Sequence, residues 1–189
     1  MRYRSALLLA VLLLAALAPT AGAGEPTEQL KTDIDELYRS ANTAGGGTMA
    51  ARPIVDRMFD WTAMAESSLR GHWTKRTPAE RAEFTKLFSD LFARAYLSRI
   101  HLVDARQFQY LGDTTNGEQS TVKTKVFTKR GSALDVDYLV QASPSNRWLV
   151  RDVKVEGISL MDNYRVQFDT IIAKSSYQDL VTRLKNAGK

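Results

Sequence analysis

Three side chains of this sequence stand out as candidates for acid–base work: its two histidines, His72 and His101, and Asp152. Asp152 is a carboxylate inside an apolar strand run, between Val150 and Val153. A carboxylate held among apolar groups can act as a general base. That role needs a second polar group to share it, and the segment around Asp152 supplies none. The two histidines are too far apart for a His-Glu-x-x-His zinc pair. With no cysteine in the chain, thiol nucleophiles, thiolate metal sites and disulfides are excluded. No Gly-x-Ser-x-Gly elbow is present. The Gly45-Gly46-Gly47 run lacks the Gly-Lys-Ser/Thr ending of a phosphate loop and reads as a flexible connection. No metal and no catalytic cofactor is expected. A small enzyme acting on an apolar substrate through Asp152 or a histidine stays open as one function class.

A second class begins with rings instead of acids. Phe84, Phe88, Phe92 and Tyr96 recur every four residues, with Leu87, Leu91 and Leu97 beside them. On a helix that spacing makes an apolar face wider than the roughly 100° of a single packed stripe. Such rings either fill a core or line a pocket, and periodicity alone favours the core.

The elements that must position these groups fall into two halves. Leu30, Ile34, Leu37, Tyr38 and Ala41 predict a first helix, ended by the glycine run and Pro53. Short helices follow over Pro53–Phe59 and, behind an Asp60 cap, Trp61–Leu69. Thr77-Pro78-Ala79-Glu80 is a capping box with proline at the first helical position, starting a helix from Pro78 to about Ser98. The period then changes to two. QFQYLGD, STVKTKVFTK, ALDVDYLVQ and RWLVRDVKVEG read as four strands joined by short turns, hence an antiparallel meander. Leu134, Val136, Tyr138 and Val140 share one face, and Asp135 and Asp137 the other. Helical spacing returns over Leu160–Ala173, and Ser175–Gln178 is read as a capping box for a last helix. The expected fold is α+β: a multi-helix half packed on a four-stranded sheet, with the broad aromatic face of the 78–98 helix on that sheet.

The N-terminus reads as an export signal. Arg2 and Arg4 precede an apolar run from Ala6 to Ala18, and Ala21-Gly22-Ala23 fits a cleavage site. The run is shorter than the roughly 20 residues that span a bilayer. A signal peptide over residues 1–23, a single domain over 24–189, and a soluble periplasmic product are therefore expected. Without Arg2 and Arg4, the 26 basic residues fall to 24 against 21 acidic ones, a net charge of +3. The basic residues are dispersed among acids, which argues against a nucleic-acid partner.

The order of particular residues goes further. Phe59-Asp60, Gly71-x-Trp73, Thr77-x-x-Glu80-Arg81-x-x-Phe84 and Tyr96 are followed by Val136-x-Tyr138 and Trp148-x-Val150-x-Asp152-Val153. Then comes Glu156-Gly157-Ile158-Ser159-Leu160, leading to Asn163-Tyr164-Arg165-x-Gln167-Phe168, with Tyr177 and Leu180 after it. This series, over roughly residues 28–186, resembles the MlaC family of periplasmic phospholipid-binding proteins, also known as toluene-tolerance auxiliary components. The chain departs from the common pattern at Trp61 and at Gly45-Gly46-Gly47.

The resemblance implies a monomeric carrier with a phospholipid as cargo. Its partners would be an outer-membrane lipoprotein complex and the lipid-binding subunit of an inner-membrane ABC transporter, and its role the upkeep of outer-membrane lipid asymmetry. A hopanoid-associated branch is similar, so hopanoid or another non-phospholipid cargo stays open. Physics suits enclosure: at about 0.8 kcal/mol per methylene, a lipid with about 30 of them resists water by about 20 kcal/mol or more. Val126, Val136, Tyr138, Trp148 and Val150 are then the sheet-side candidates for lining the lipid. Met64, Phe84, Phe88, Leu91, Ile158 and Leu160 are the residues that would close the cavity. The Asn163-Tyr164-Arg165 stretch is expected to orient the last helices, with a pocket role for Arg165 left open.

Overall fold

A computed structural model describes residues 25–42, 50–100 and 108–187. The export signal of residues 1–23, the Gly45-Gly46-Gly47 run and His101 lie outside the described residues.

Alternation of apolar and polar residues produces the sheet. Strands β1 (Gln109–Asn116), β2 (Gln119–Phe127), β3 (Ala133–Ala142) and β4 (Trp148–Val155) follow one another as an antiparallel meander. A short fifth strand, β5 (Ile158–Ser159), extends the four expected from sequence, giving the order β1-β2-β3-β4-β5. Its turn has Glu156 at φ 50° and Gly157 at φ 77°. That pair of left-handed residues matches the twist of a tight hairpin. One face of the sheet is apolar: Val122, Val126, Val136, Tyr138, Val140, Val150 and Val153 are all buried. The other face is charged, with Lys125 paired to Asp135 across β2 and β3 at 3.2 Å. Thr124 fits the apolar face because its hydroxyl donates to the Val136 carbonyl at 2.7 Å.

A bulge in β4 breaks simple alternation. Leu139 faces Asp152 while the next residue, Val140, faces Val150, so Arg151 is the extra residue. Val150 and Val153 are consequently both buried although three apart, and Asp152 turns away from them.

Among the described residues six helices form the other half: α1 (Glu25–Asn42), α2 (Arg52–Met58), α3 (Trp61–Leu69), α4 (Pro78–Ile100), α5 (Leu160–Lys174) and α6 (Tyr177–Asn186). A 3-10 turn, Arg70–Lys75, joins α3 to α4. Helix α1 is tied to the sheet by polar clips. Gln29 both accepts from the Trp148 amide at 2.9 Å and donates to its carbonyl at 2.7 Å. Asp33, buried, accepts from Arg147 at 2.7 Å and from Arg57 at 3.4 Å.

The capping box at α4 forms as read. The Glu80 amide donates to the Thr77 hydroxyl at 3.2 Å, and the Thr77 amide donates to the Glu80 carboxylate at 2.8 Å. At α6 the cap is Ser176, which accepts from the Asp179 amide at 3.1 Å, not the expected Ser175–Gln178 box. Ser175 instead closes α5, its amide bonding to the Ile171 carbonyl at 2.9 Å. The aromatic face of α4 also differs from expectation. Its ring neighbours are Tyr164 and Phe168 of α5, Tyr177 of α6, and the Phe59–Trp61 corner before α3. Helix α5, returning from the sheet, supplies this cover, while Tyr96 carries the face to the sheet by hydrogen bonding to Tyr138.

Candidate functional site

The interior between helices and sheet is built from the two halves of the sequence. On the sheet side Val126, Val136 and Tyr138 are buried, and Trp148 is half-buried. On the helix side Met64, Phe84 and Phe88 are completely buried, and Leu91 and Leu160 half-buried. Phe88 is the hub of the ring cluster, with Tyr164 at 5.4 Å edge-on and Phe84, Phe92 and Phe168 at 6.1 to 6.2 Å. One expected lining residue, Ile158, lies elsewhere, and a second, Val150, is tied to the backbone of the helical half. Ile158 is 65% exposed, because in the two-residue strand β5 it is Ser159 that turns inward. Val150 is buried, but at a backbone joint: Phe59 bridges to it in parallel, and the Asp60 amide donates to its carbonyl at 2.9 Å.

Of the candidate acid–base groups, the described Asp152 and His72 are engaged structurally. Asp152 accepts from the Ser159 hydroxyl at 2.6 Å and from the Met161 amide at 3.1 Å. Ser159 in turn caps α5 by accepting from the Asp162 amide at 3.0 Å. Both carboxylate oxygens thus serve the start of a helix, one taking an amide that the helix itself cannot satisfy and the other holding the capping serine. His72 sits beside Asp169 of α5, Nε2 to carboxylate 2.8 Å, with Asp169 exposed. Among the described residues no cluster of three or more His, Cys, Asp or Glu is placed to hold a metal ion. Arg165 pairs with Asp162 at 2.8 Å on the surface of α5.

Phenols are among the polar groups of the interior and its margin. Tyr38 of α1, Tyr96 of α4, Tyr110 of β1 and Tyr138 of β3 act on one another electrostatically, and burial is the first cause that raises the pKa of each. All four are therefore neutral donors at any physiological pH. Tyr96 and Tyr138 share a hydrogen bond. Among the described residues, the buried Tyr110 hydroxyl has no hydrogen-bond partner, nor has Nε1 of Trp61. Of these residues only Tyr138 was marked as a site candidate by sequence. The other three come from separate elements, and no local pattern joins them. A solvent-open groove of about 390 Å³ at the far end of the sheet is lined by groups such as Thr114, Gln119, Gln141 and Arg151. Leu139 and Val140 lie beside them in the same groove.

Two blocks of the motif series, Gly71-x-Trp73 with Thr77-x-x-Glu80-Arg81 and Glu156–Leu160 with Asn163–Phe168, have clear structural work. Arg81 donates to the carbonyls of Trp73 at 3.1 Å and Thr74 at 3.3 Å and lies over the Trp73 ring at 5.4 Å, fixing the 3-10 turn to α4. Arg76 covers the Tyr177 ring at 4.4 Å, and the Tyr177 hydroxyl donates to the Glu80 carbonyl at 3.2 Å, so α6 is anchored to the same point. The second block supplies the β4–β5 turn, the α5 cap and the rings of Tyr164 and Phe168 that meet α4.

No curated protein is significantly similar to the chain in sequence. Among solved structures, a phospholipid-binding protein from Ralstonia solanacearum, in complex with a phospholipid, has the same fold: 22% identity, TM-score 0.73, over 87% of this chain and 97% of that one. The family model described as MlaC protein matches residues 32–186, spanning α1 to α6 and both motif blocks. The chain belongs to the MlaC family.

Proposed function

We propose that this protein is a periplasmic phospholipid carrier, taking lipid between an outer-membrane lipoprotein complex and the lipid-binding subunit of an inner-membrane ABC transporter. One observation carries the reading: the family match runs through the whole α+β domain, whose fold is shared with a protein seen in complex with a phospholipid. The apolar sheet face and the ring cluster around Phe88 supply the kind of surface that acyl chains require. Enclosure follows from the cost of wetting those chains, which no diffusing carrier can leave exposed. The export signal read at Arg2, Arg4 and Ala21-Gly22-Ala23 supports the compartment. Asp152 and His72 are committed to a helix cap and a surface pair, which supports binding without catalysis.

The test is native mass spectrometry of protein taken gently from its own periplasm, with organic extraction of the same sample. About one phospholipid-sized molecule per chain is expected. Protein that is lipid-free and also takes nothing from phospholipid vesicles would overturn the reading.

A further inference from the structure

The sheet face turned away from the apolar interior is charged over β2 and β3 and becomes neutral toward the β1–β2 hairpin. Lys123 stands opposite Asp137, and Lys125 pairs with Asp135. Nearer the hairpin the same face carries hydroxyls and amides in two rows. One row is Thr114, Thr121 and Leu139, each opposite the next on β1, β2 and β3. The other is Asn116, Gln119 and Gln141, in the same register. Two residues of strand set the rows about 7 Å apart. These six residues line the groove of about 390 Å³, a volume within the range of about 300–1,000 Å³ usual for small-molecule sites.

Two charged residues also border the groove, and both are already engaged. Arg151 donates to Asp60 at 3.3 Å and to the Gln141 amide oxygen at 3.0 Å, so an acid already meets its charge. Asp152 has both carboxylate oxygens committed to the start of α5. The Thr114 and Thr121 hydroxyls and the Asn116 amide, by contrast, make no side-chain hydrogen bond among the described residues. The backbones of β2 and β3 are paired on both sides, so a peptide strand finds no edge to extend within the groove.

What the groove offers is a set of neutral groups that both donate and accept, beside the half-buried aliphatic Leu139. Ligand hydroxyls likewise donate and accept, and so match amides and threonine hydroxyls. The C–H face of a sugar ring matches Leu139. We propose that this groove is a binding site for a short neutral saccharide, on the opposite side of the sheet from the apolar interior. It stands apart from the carrier reading and does not depend on it.

The experiment is nuclear magnetic resonance of the full chain, isotope-labelled, exported and processed as in the cell. It is titrated separately with maltotriose, cellotriose and N-acetylchitotriose. At least one of the three should shift the side-chain amide signals of Asn116, Gln119 and Gln141 in a saturable way. Gln119→Ala and Thr121→Val should each weaken that binding about three- to tenfold, the worth of one hydrogen bond. The rest of the spectrum should stay as in the parent, which shows that both variants are folded. Trigalacturonate, an anionic counterpart, should bind more weakly than the neutral sugars, since Arg151 is already paired. Tighter binding of trigalacturonate overturns the neutral assignment. Saturable shifts with none of the three neutral sugars, or shifts confined to residues outside the groove, overturn the site. Binding undiminished in both Gln119→Ala and Thr121→Val overturns it as well.

Discussion

Asp152 and Ser159 are hydrogen-bonded at 2.6 Å, and together they hold the first turn of α5 against β4. Asp152 takes the Met161 amide, Ser159 takes the Asp162 amide, and the acid also receives the serine hydroxyl. Asp152→Ala removes a charged acceptor from two donors at once. Cap losses cost about 0.5–2 kcal/mol and bonds to charged groups somewhat more, so about 2–3 kcal/mol of stability should be lost in urea unfolding. Lipid retained per folded molecule should not change. Loss of lipid at unchanged stability would return Asp152 to the binding site.

Glu80 gives a pH signature. Its bonds from the Thr77 amide and then the Thr77 hydroxyl hold its carboxylate below the usual range, with Arg76 adding to the effect. A carboxylate with a lowered folded pKa stabilises the native state above its unfolded pKa, and that contribution is lost as pH falls through the folded value. Glu80→Gln should therefore melt lower than the parent at pH 7, and the difference should shrink as the solution is taken below pH 4. A constant difference across that range would show that the glutamate acts through shape, not charge.

The α4 capping box, the faces of β2 and β3, and the ring spacing of α4 were legible in the sequence because each depends on neighbours within one element. Asp152 was not, since the bulge at Arg151 reverses the alternation that period two assumes. Ile158 was misplaced for a related reason: a strand of two residues has no period to read. The tyrosine cluster depends on chain segments joined only by the fold. Its members are unremarkable where they stand in sequence, and the buried hydroxyl of Tyr110 is visible only in three dimensions.

Trp61 is stacked on Phe59 at 5.1 Å and edge-on to Phe92 at 5.8 Å. Its buried Nε1 has no hydrogen-bond partner among the described residues. Trp61→Phe keeps a ring in the stack and removes the unsatisfied donor, two effects of opposite sign. Stability should stay within about 1 kcal/mol of the parent. Phe88→Ala, at the hub of the same cluster, should cost about 3–5 kcal/mol. A Trp61→Phe loss approaching that of Phe88→Ala would show that Nε1 has an acceptor in solution.

Gly157 tests the β4–β5 turn. Its φ of 77° is a left-handed conformation, while no atom lies within 4 Å of where a Cβ would stand. Gly157→Ala therefore meets backbone strain without a steric clash, and a cost of about 1 kcal/mol is expected from that strain alone. Chemical denaturation measures it. A larger loss would mean that the turn also shifts the Asp135–Glu156 contacts, in which the Asp135 amide donates to the Glu156 carboxylate at 2.7 Å.

Val150 separates packed core from lipid-lined space. It is 2% exposed, faces Val140 across the sheet, and has Phe59 bridged to it on the other side. Phe59 is itself clasped by Trp61, Phe92 and Tyr96 at 5.1 to 5.6 Å. Backbone hydrogen bonds fix both flanks, so neither can move aside for a larger side chain. Val150→Trp should then overpack, lowering stability by about 1–3 kcal/mol or more, with lipid per folded molecule retained. Melting of the lipid-free protein and extraction of bound lipid give the two readouts. If melting is unchanged and lipid is expelled, Val150 borders the cavity, and the joint between Phe59 and β4 opens into lipid.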